Sequence, residues 1–200
     1  ATTEKQAWEV FKPAKLMCQR NEEFREFYDI EVNAKNLNIL SSGSKFEPLI
    51  GNPGDGSSPS CAIVDEYHEH DKPDLYETME TGMGAREQPI MFVITTAGSN
   101  FGGPCYEKRG DVIKILEKNV KDESVFGIIY TLDDGDDWDT IEALQKANPN
   151  YGVSISADFL HQQLEKAKRS ATKQNSFKTK HLNLWVGART SWMNMLAWQR

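Results

Sequence analysis

Two adjacent carboxylates, Asp65 and Glu66, follow directly on the apolar run Cys61-Ala62-Ile63-Val64 and carry the most specific chemical signal in the chain. An unbroken apolar run of this kind, placed just after the Gly/Ser/Pro-rich GNPGDGSSPS, predicts a strand buried on both faces of a parallel sheet. Acids at the C-terminal tip of such a strand stand where open α/β sheets bind ligands. In nucleoside triphosphatases with a phosphate-cradling loop, the first acid of the pair holds magnesium. The second can orient or deprotonate the attacking water. The competing reading is a strand that ends in a solvated acidic loop.

A second apolar run, Ile90-Met91-Phe92-Val93-Ile94, ends in Thr95-Thr96-Ala97. Small hydroxyl residues at that tip could hydrogen-bond the attacking water or sense a terminal phosphate, or could be no more than a polar strand end. Paired with Asp65-Glu66 they favour nucleotide chemistry. His68 and His70 alternate with Tyr67 and Glu69, so a metal cluster with Asp65 or Asp71 is a further reading. No third distant ligand stands out, and solvated or loop-bracing histidines fit the spacing better. The acidic loop Asp133 to Asp139 fails as a calcium loop, because counting back from Gly135 puts Tyr130 in the first liganding position. Lys166, Lys168, Arg169, Lys173, Lys178 and Lys180 form a basic stretch that could contact a phosphate backbone or could be an ordinary exposed helix face. No GxxxxGK[ST] loop occurs in the chain, so its residues include no such cradle for phosphates.

The elements that must position these residues follow from spacing. Thr3 with Gln6 predicts a capped first helix, which Pro13 threatens to kink, and Glu22 to Phe27 predicts a second. Leu37 to Leu40 and Lys45 to Leu49 predict a hairpin around Ser42-Gly43, with Pro48 placing its second strand at an edge. Leu75, Met79 and Met83 mark a helix between the two apolar runs, closed by Gly82 and Gly84. Strand, helix, strand at this distance is a βαβ unit with parallel strands. Beyond Gly103 the pattern predicts a helix from Tyr106 to Asn119, a strand from Val125 to Tyr130, and helices over Thr140 to Ala147 and Asp158 to Ser170. The last has Leu160, Leu164 and Ala167 on its inner face. The fold class is α/β, a partial parallel sheet followed by a mainly helical subdomain.

With 200 residues the chain is long enough for one domain with a proper core, or for a domain carrying a small appendage. Its net charge of −7 argues against wholesale coating of nucleic acid but allows a local basic patch. Cys18, Cys61 and Cys105 show no CxxC spacing, which points away from a disulfide framework and toward a reducing compartment. No apolar run approaches membrane-spanning length. The opening residue is Ala, in a helical pattern, which suggests an internal piece of a longer protein.

Taken together, CAIVDEYHEH, QPIMFVITTAG after a helix, ANPNYG, and FKTKHLNLWV with a Trp-containing tail resemble the large terminase subunit of tailed bacteriophages. That family is the ATPase and endonuclease that packages viral DNA. The resemblance implies that CAIVDE is a Walker B element of a P-loop-type ATPase domain, with Asp65 binding magnesium and Glu66 activating water. It implies that Thr95, Thr96 and Ala97 are a coupling motif. It also implies an order of domains: residues 1–102 as the later part of the ATPase core, 103–187 as a lid, and 188–200 as a linker toward a nuclease domain. The Walker A loop and the nuclease domain are missing from the pattern, so the resemblance implies an internal fragment that binds neither ATP nor Mg2+ tightly and is inactive alone. Arg86 could serve a neighbouring site in trans, although a structural ion pair suits it better. Implied partners are double-stranded DNA, the small terminase subunit, the portal protein and other copies in a ring. No membrane is implied, and the location is the host bacterial cytoplasm.

Two rivals stand beside this reading. One is a metal-dependent hydrolase built on Asp65, Glu66, His68 and His70. The other is a non-catalytic DNA-binding module.

Overall fold

Thr3 closes both halves of the capping box that its spacing to Gln6 predicts. Its hydroxyl accepts the Gln6 N–H at 3.3 Å, and the Gln6 amide oxygen accepts the Thr3 N–H at 3.3 Å. Helix α1 then runs Glu4–Arg20 and continues through Pro13. Asn21 caps α2, Glu22–Tyr28, by accepting the Phe24 N–H at 2.9 Å. The computed structural model describes residues 2–49 and 56–187. Most of GNPGDG lies outside that range, as do the tail SWMNMLAWQR and the predicted linker.

The chain divides into two units, 1–95 and 96–200. In the first, β1 (Glu31–Val32), β2 (Leu37–Ile39) and β3 (Ser44–Phe46) form an antiparallel meander with β3 at an edge. The predicted hairpin is therefore present, but its second strand ends at Phe46, before Pro48. Phe11, Cys18 and Leu37 form a core between α1 and this sheet, with Trp8 and Phe46 packed against it.

The βαβ unit is present. Strand β4 (Cys61–Asp65), helix α3 (Asp74–Gly82) and strand β5 (Ile90–Ile94) follow in order, and the two strands pair in parallel from Cys61↔Ile90 to Asp65↔Ile94. Neither strand is buried on both faces, contrary to the expectation from their continuous apolar runs. Ala62 and Val64 are buried while Cys61 and Ile63 are exposed. Ile90, Phe92 and Ile94 remain 53%, 51% and 47% exposed. The physical reason is single-sided cover. Met79 and Met83, with Leu75, pack on Ala62 and Met91, and side chains of period two then place the alternate residues on the uncovered face.

The second unit is mainly helical. Helix α4 spans Pro104–Leu116, ending before the predicted Asn119. The predicted strand Val125 to Tyr130 is not one: these residues form no regular element, and among the described residues they have no ladder partner. Val125, Gly127 and Ile129 are half-buried, whereas Phe126 is 89% exposed. Gly127 is required by close approach, since a Cβ there would collide with the Val112 side chain. Helix α5 (Ile141–Ala147) has the Thr140 hydroxyl as its cap, and α6 spans Ala157–Arg169. Leu160, Leu164 and Ala167 are buried on the predicted inner face of α6. They pack with Leu144, Phe177 and Leu182 into the core of this unit. Phe177 and Leu182 belong to α7, Ala171–Leu182, a helix within the stretch read from sequence only as basic.

Candidate functional site

Asp65 ends β4 beside Ile94, the last residue of β5, so the two parallel strands deliver Asp65 and Thr95 to the same end of the sheet. Asp65 is half-buried, and its Oδ1 accepts the Glu66 N–H at 3.0 Å, which fixes the carboxylate at the strand tip. Glu66 then turns the chain with a left-handed backbone, φ 52° and ψ 49°. A side chain in that conformation costs roughly 1–2 kcal/mol relative to the right-handed region, and such strain concentrates at functional sites.

The Glu66 carboxylate is held unevenly. Its Oε2 is buried and makes no hydrogen bond among the described residues, although the side chain as a whole is 40% exposed. The nearest cation-forming atom is His68 Nδ1 at 3.2 Å, an ion-pair distance without hydrogen-bond alignment. His68 is only 13% exposed and is engaged elsewhere. Its backbone N–H donates to Thr95 Oγ1 at 2.9 Å, its Nδ1 lies 3.0 Å from the same oxygen, and its Nε2 lies 3.1 Å from Glu69 Oε1. The structure thus brings Glu66 and Thr95 together around His68, next to the Asp65 strand tip, and the part of His68 is one that sequence reasoning missed. Only the alternation of His68 and His70 with Tyr67 and Glu69 hinted at it.

Thr96 and Ala97 belong to the second unit. There Ala97 is buried, and its N–H donates to Asn183 Oδ1 at 3.4 Å. Asn183 sits within FKTKHLNLWV, but nothing about its type or spacing marked it.

His70 is not solvated. It is buried beside Tyr67, its Nε2 has no hydrogen-bond partner among the described residues, and burial pushes its pKa below the ordinary histidine range. Among the described residues no group of three or more His, Cys, Asp and Glu is arranged to hold a metal, so Asp65, Glu66, His68 and His70 do not form such a cluster. Among the described residues Arg86 forms no ion pair of the kind expected. It is exposed and donates from Nε and Nη2 to the Ser58 carbonyl, the former at 2.8 Å, because the returning loop places a backbone acceptor within reach.

The acidic loop is a turn closed by Lys146, which donates to Asp133 at 2.7 Å and to Asp136. Hydrogen bonding to Lys146 and to the Asp133 amide holds the Asp136 carboxyl below the usual carboxylate range. Lys166, Lys168 and Arg169 are exposed on the last turn of α6, and Lys173 is exposed on α7. Glu165 lies 3.6 Å from both Lys168 and Arg169. Lys178 leaves the basic face, with Nζ 4.5 Å from the centre of the Trp138 ring, where burial lowers its pKa.

Residues 1–114 match the family described as "Terminase large subunit, ATPase domain", and residues 119–200 match "Terminase large subunit, endonuclease domain". The chain belongs to the large terminase subunit family. It is 58% identical over 146 residues to Protein YmfN of Escherichia coli (strain K12), covering 73% of this chain and 32% of that protein. It is 28% identical over 203 aligned residues to the large terminase subunit of Enterobacteria phage HK97, covering all of this chain and 39% of that protein. The crystal structure of the HK97 large terminase superposes with a TM-score of 0.79 at 25% identity, over 92% of this chain and 38% of that one. The chain thus spans between about a third and two-fifths of the length of the curated relatives it matches. Among the described residues no helix is long and apolar enough to cross a membrane.

Proposed function

We propose that this chain supplies the hydrolytic carboxylates of a viral DNA-packaging ATPase, with CAIVDE as its Walker B element. Asp65 would hold Mg2+, Glu66 would orient or deprotonate the attacking water, and Thr95, Thr96 and Ala97 would couple hydrolysis to movement. The observation that carries the reading is the Asp65↔Ile94 pairing, which puts an acid pair and a small hydroxyl residue at neighbouring, co-directional strand tips. The donor set suits magnesium, which takes one or two protein carboxylates and fills its other positions with water and phosphate oxygens. Magnesium held there by Asp65 would supply charge neutralisation during phosphoryl transfer.

The protein's own contribution is geometry. Asp65 is tethered through Oδ1 to the Glu66 amide, and the left-handed turn at Glu66 presents the second carboxylate beyond the strand end. The Glu66 side chain is 40% exposed, so its carboxylate could accept a proton from the attacking water. We further infer that the mainly helical second unit acts as a lid. Supporting this, it follows directly on β5, and the Ala97 amide is tied to Asn183 at the end of α7. Lys166, Lys168, Arg169 and Lys173 would meet double-stranded DNA. In the whole subunit the partners would be DNA, the small terminase subunit, the portal protein and further copies in a ring, in the host cytoplasm.

Phosphoryl transfer depends on positioning and electrostatic stabilisation, and the chain holds no GxxxxGK[ST] loop to position phosphates. The test is ATP turnover with Mg2+. The 200-residue chain alone should show none, whereas a large terminase subunit carrying it should turn over ATP and lose that activity on Glu66→Gln. Turnover that survives Glu66→Gln removes the reading.

A further inference from the structure

We propose that Asn183 is a positioning residue for ATP hydrolysis, holding Ala97 of the coupling segment from the end of α7, an inference that rests on the function proposed above. The β4–β5 ladder closes at Ile94, so Ala97 stands beyond the reach of strand pairing. Two bonds from one short stretch hold the chain there instead. Asn183 Oδ1 accepts the Ala97 N–H at 3.4 Å, and the Val186 N–H donates to the Gly98 carbonyl at 3.3 Å. Ala97 is buried, so an amide that lost the Asn183 oxygen would have little water to take its place.

Asn183 is itself firmly seated. Its Nδ2 donates to the Tyr130 carbonyl at 2.9 Å, and its own carbonyl accepts the Thr131 hydroxyl at 3.0 Å. A main-chain N–H only donates and a main-chain carbonyl only accepts, so Ala97 and Tyr130 together fix which end of the amide faces which. The backbone at Asn183 is left-handed, and the next N–H, that of Leu184, closes α7 on the Lys178 carbonyl at 2.9 Å. Leu182, just before it, is fully buried in the core of the second unit. The bonds that seat Asn183 are thus shorter than those that grip the segment, and a displaced segment would leave Asn183 where it is. The residue type follows from these demands. One short side chain must offer a donor and an acceptor from a backbone that asparagine tolerates; aspartate lacks the donor and glycine lacks both. A tie that served the helical core alone would need only the Tyr130 and Thr131 bonds. The bond to Ala97 reaches past that core to the residue that follows the two threonines.

Thr131→Val separates this from a merely structural role, because it damages the same seat without touching the Ala97 bond. In a large terminase subunit carrying this chain, Thr131→Val and Asn183→Gly should both lower the urea midpoint. ATP turnover, measured where each variant is folded, should fall on the order of 10-fold in Asn183→Gly, the scale of a misplaced catalytic group, with KM for ATP nearly unchanged. In Thr131→Val it should stay within about 2-fold of the parent. Asn183→Asp keeps an acceptor for the Ala97 N–H but sets a carboxylate against the Tyr130 carbonyl. It should therefore be less stable than the parent and still keep more than about a tenth of its turnover. Parent-like kcat in Asn183→Gly, or equal losses of turnover in Asn183→Gly and Thr131→Val, overturns the inference. Should Asn183→Gly fail to fold, Asn183→Asp decides, and turnover below about a tenth of the parent's with the acceptor in place overturns the inference. Turnover that survives Glu66→Gln is instead a failure of the underlying function, since none of these three variants alters Asp65 or Glu66.

Discussion

Asn183 and Ala97 lie 86 residues apart in sequence, yet the Asn183 amide oxygen accepts the Ala97 backbone N–H at 3.4 Å. The same side chain donates from Nδ2 to the Tyr130 carbonyl at 2.9 Å. The Thr131 hydroxyl returns the contact by donating to the Asn183 carbonyl at 3.0 Å. One side chain therefore ties the segment after β5, the irregular stretch ending at Tyr130 and the end of α7. It does so from a left-handed backbone, φ 52°, that asparagine tolerates better than most residues.

Asn183→Gly keeps that backbone and removes both side-chain hydrogen bonds, so it should cost the fold about 1–3 kcal/mol. Asn183→Ala should cost about 1 kcal/mol more, from the left-handed conformation. Denaturant unfolding gives both values, and hydrogen exchange at the Ala97 amide should accelerate in each variant. Unchanged exchange there would mean that the Asn183 contact protects nothing.

Glu66 is the converse case, a residue whose conformation works against its own side chain. Glu66→Gly relieves a left-handed strain of about 1–2 kcal/mol and pays back roughly 0.5–1 kcal/mol in chain entropy. It should therefore leave the chain as stable as before or up to about 1.5 kcal/mol more stable. Glu66→Val should lose stability, because a β-branched residue suits that region least. A Glu66→Gly chain clearly less stable than the parent would show that the carboxylate stabilises the turn.

Much of this architecture was legible. Thr3 and Gln6 announced α1, Leu160, Leu164 and Ala167 announced the inner face of α6, and the two apolar runs announced parallel partners. What failed has a common origin in contacts that a local pattern does not encode. Ile90 to Ile94 read as buried on both faces because a run of apolar residues says nothing about how many faces are covered. Val125 to Tyr130 has strand composition but no neighbouring strand among the described residues. Helix α7 hides behind Lys, Ser, Thr and Asn, and buries only Gln174, Phe177 and Leu182. At the site, Asp65 and Glu66 were visible as a pair of acids. The part of His68 was not, because its partner Thr95 is 27 residues away.

The single-sided cover of the β4–β5 sheet separates two substitutions of similar chemistry. Met79 is buried against Ala62 and Met91, so Met79→Ala should cost about 2–5 kcal/mol. Phe92 is half exposed on the other face, and Phe92→Thr should cost less than about 1.5 kcal/mol. Urea unfolding decides it. Equal losses would mean that the Phe92 face is covered in solution.

Burial lowers the pKa of both His70 and His181. The unfolded rings titrate near their ordinary value of about 6.5, so below that pH the unfolded chain binds more protons than the folded one. Their contribution is therefore fully present above that value and is lost as pH falls from there toward the folded pKa. The urea midpoint should drop between about pH 7 and pH 5, and His181→Phe, which keeps the packing against Phe159 and Phe177, should flatten the drop. A His181→Phe profile as steep as the parent's removes His181 from the explanation.

The end of α6 should reveal its role through salt rather than affinity alone. Lys166, Lys168 and Arg169 are exposed, and the pairs that Glu165 makes with Lys168 and Arg169 at 3.6 Å are too exposed to hold either cation firmly. If these cations meet phosphates, each neutralised residue should reduce the slope of log K against log salt on duplex DNA by about 1. Lys166→Gln, Lys168→Gln and Arg169→Gln should therefore weaken binding uniformly across DNA sequences. Glu165→Gln, which releases two cations from a competing carboxylate, should tighten it at low salt. Slopes that stay constant through all four variants would place the DNA contact elsewhere in the subunit.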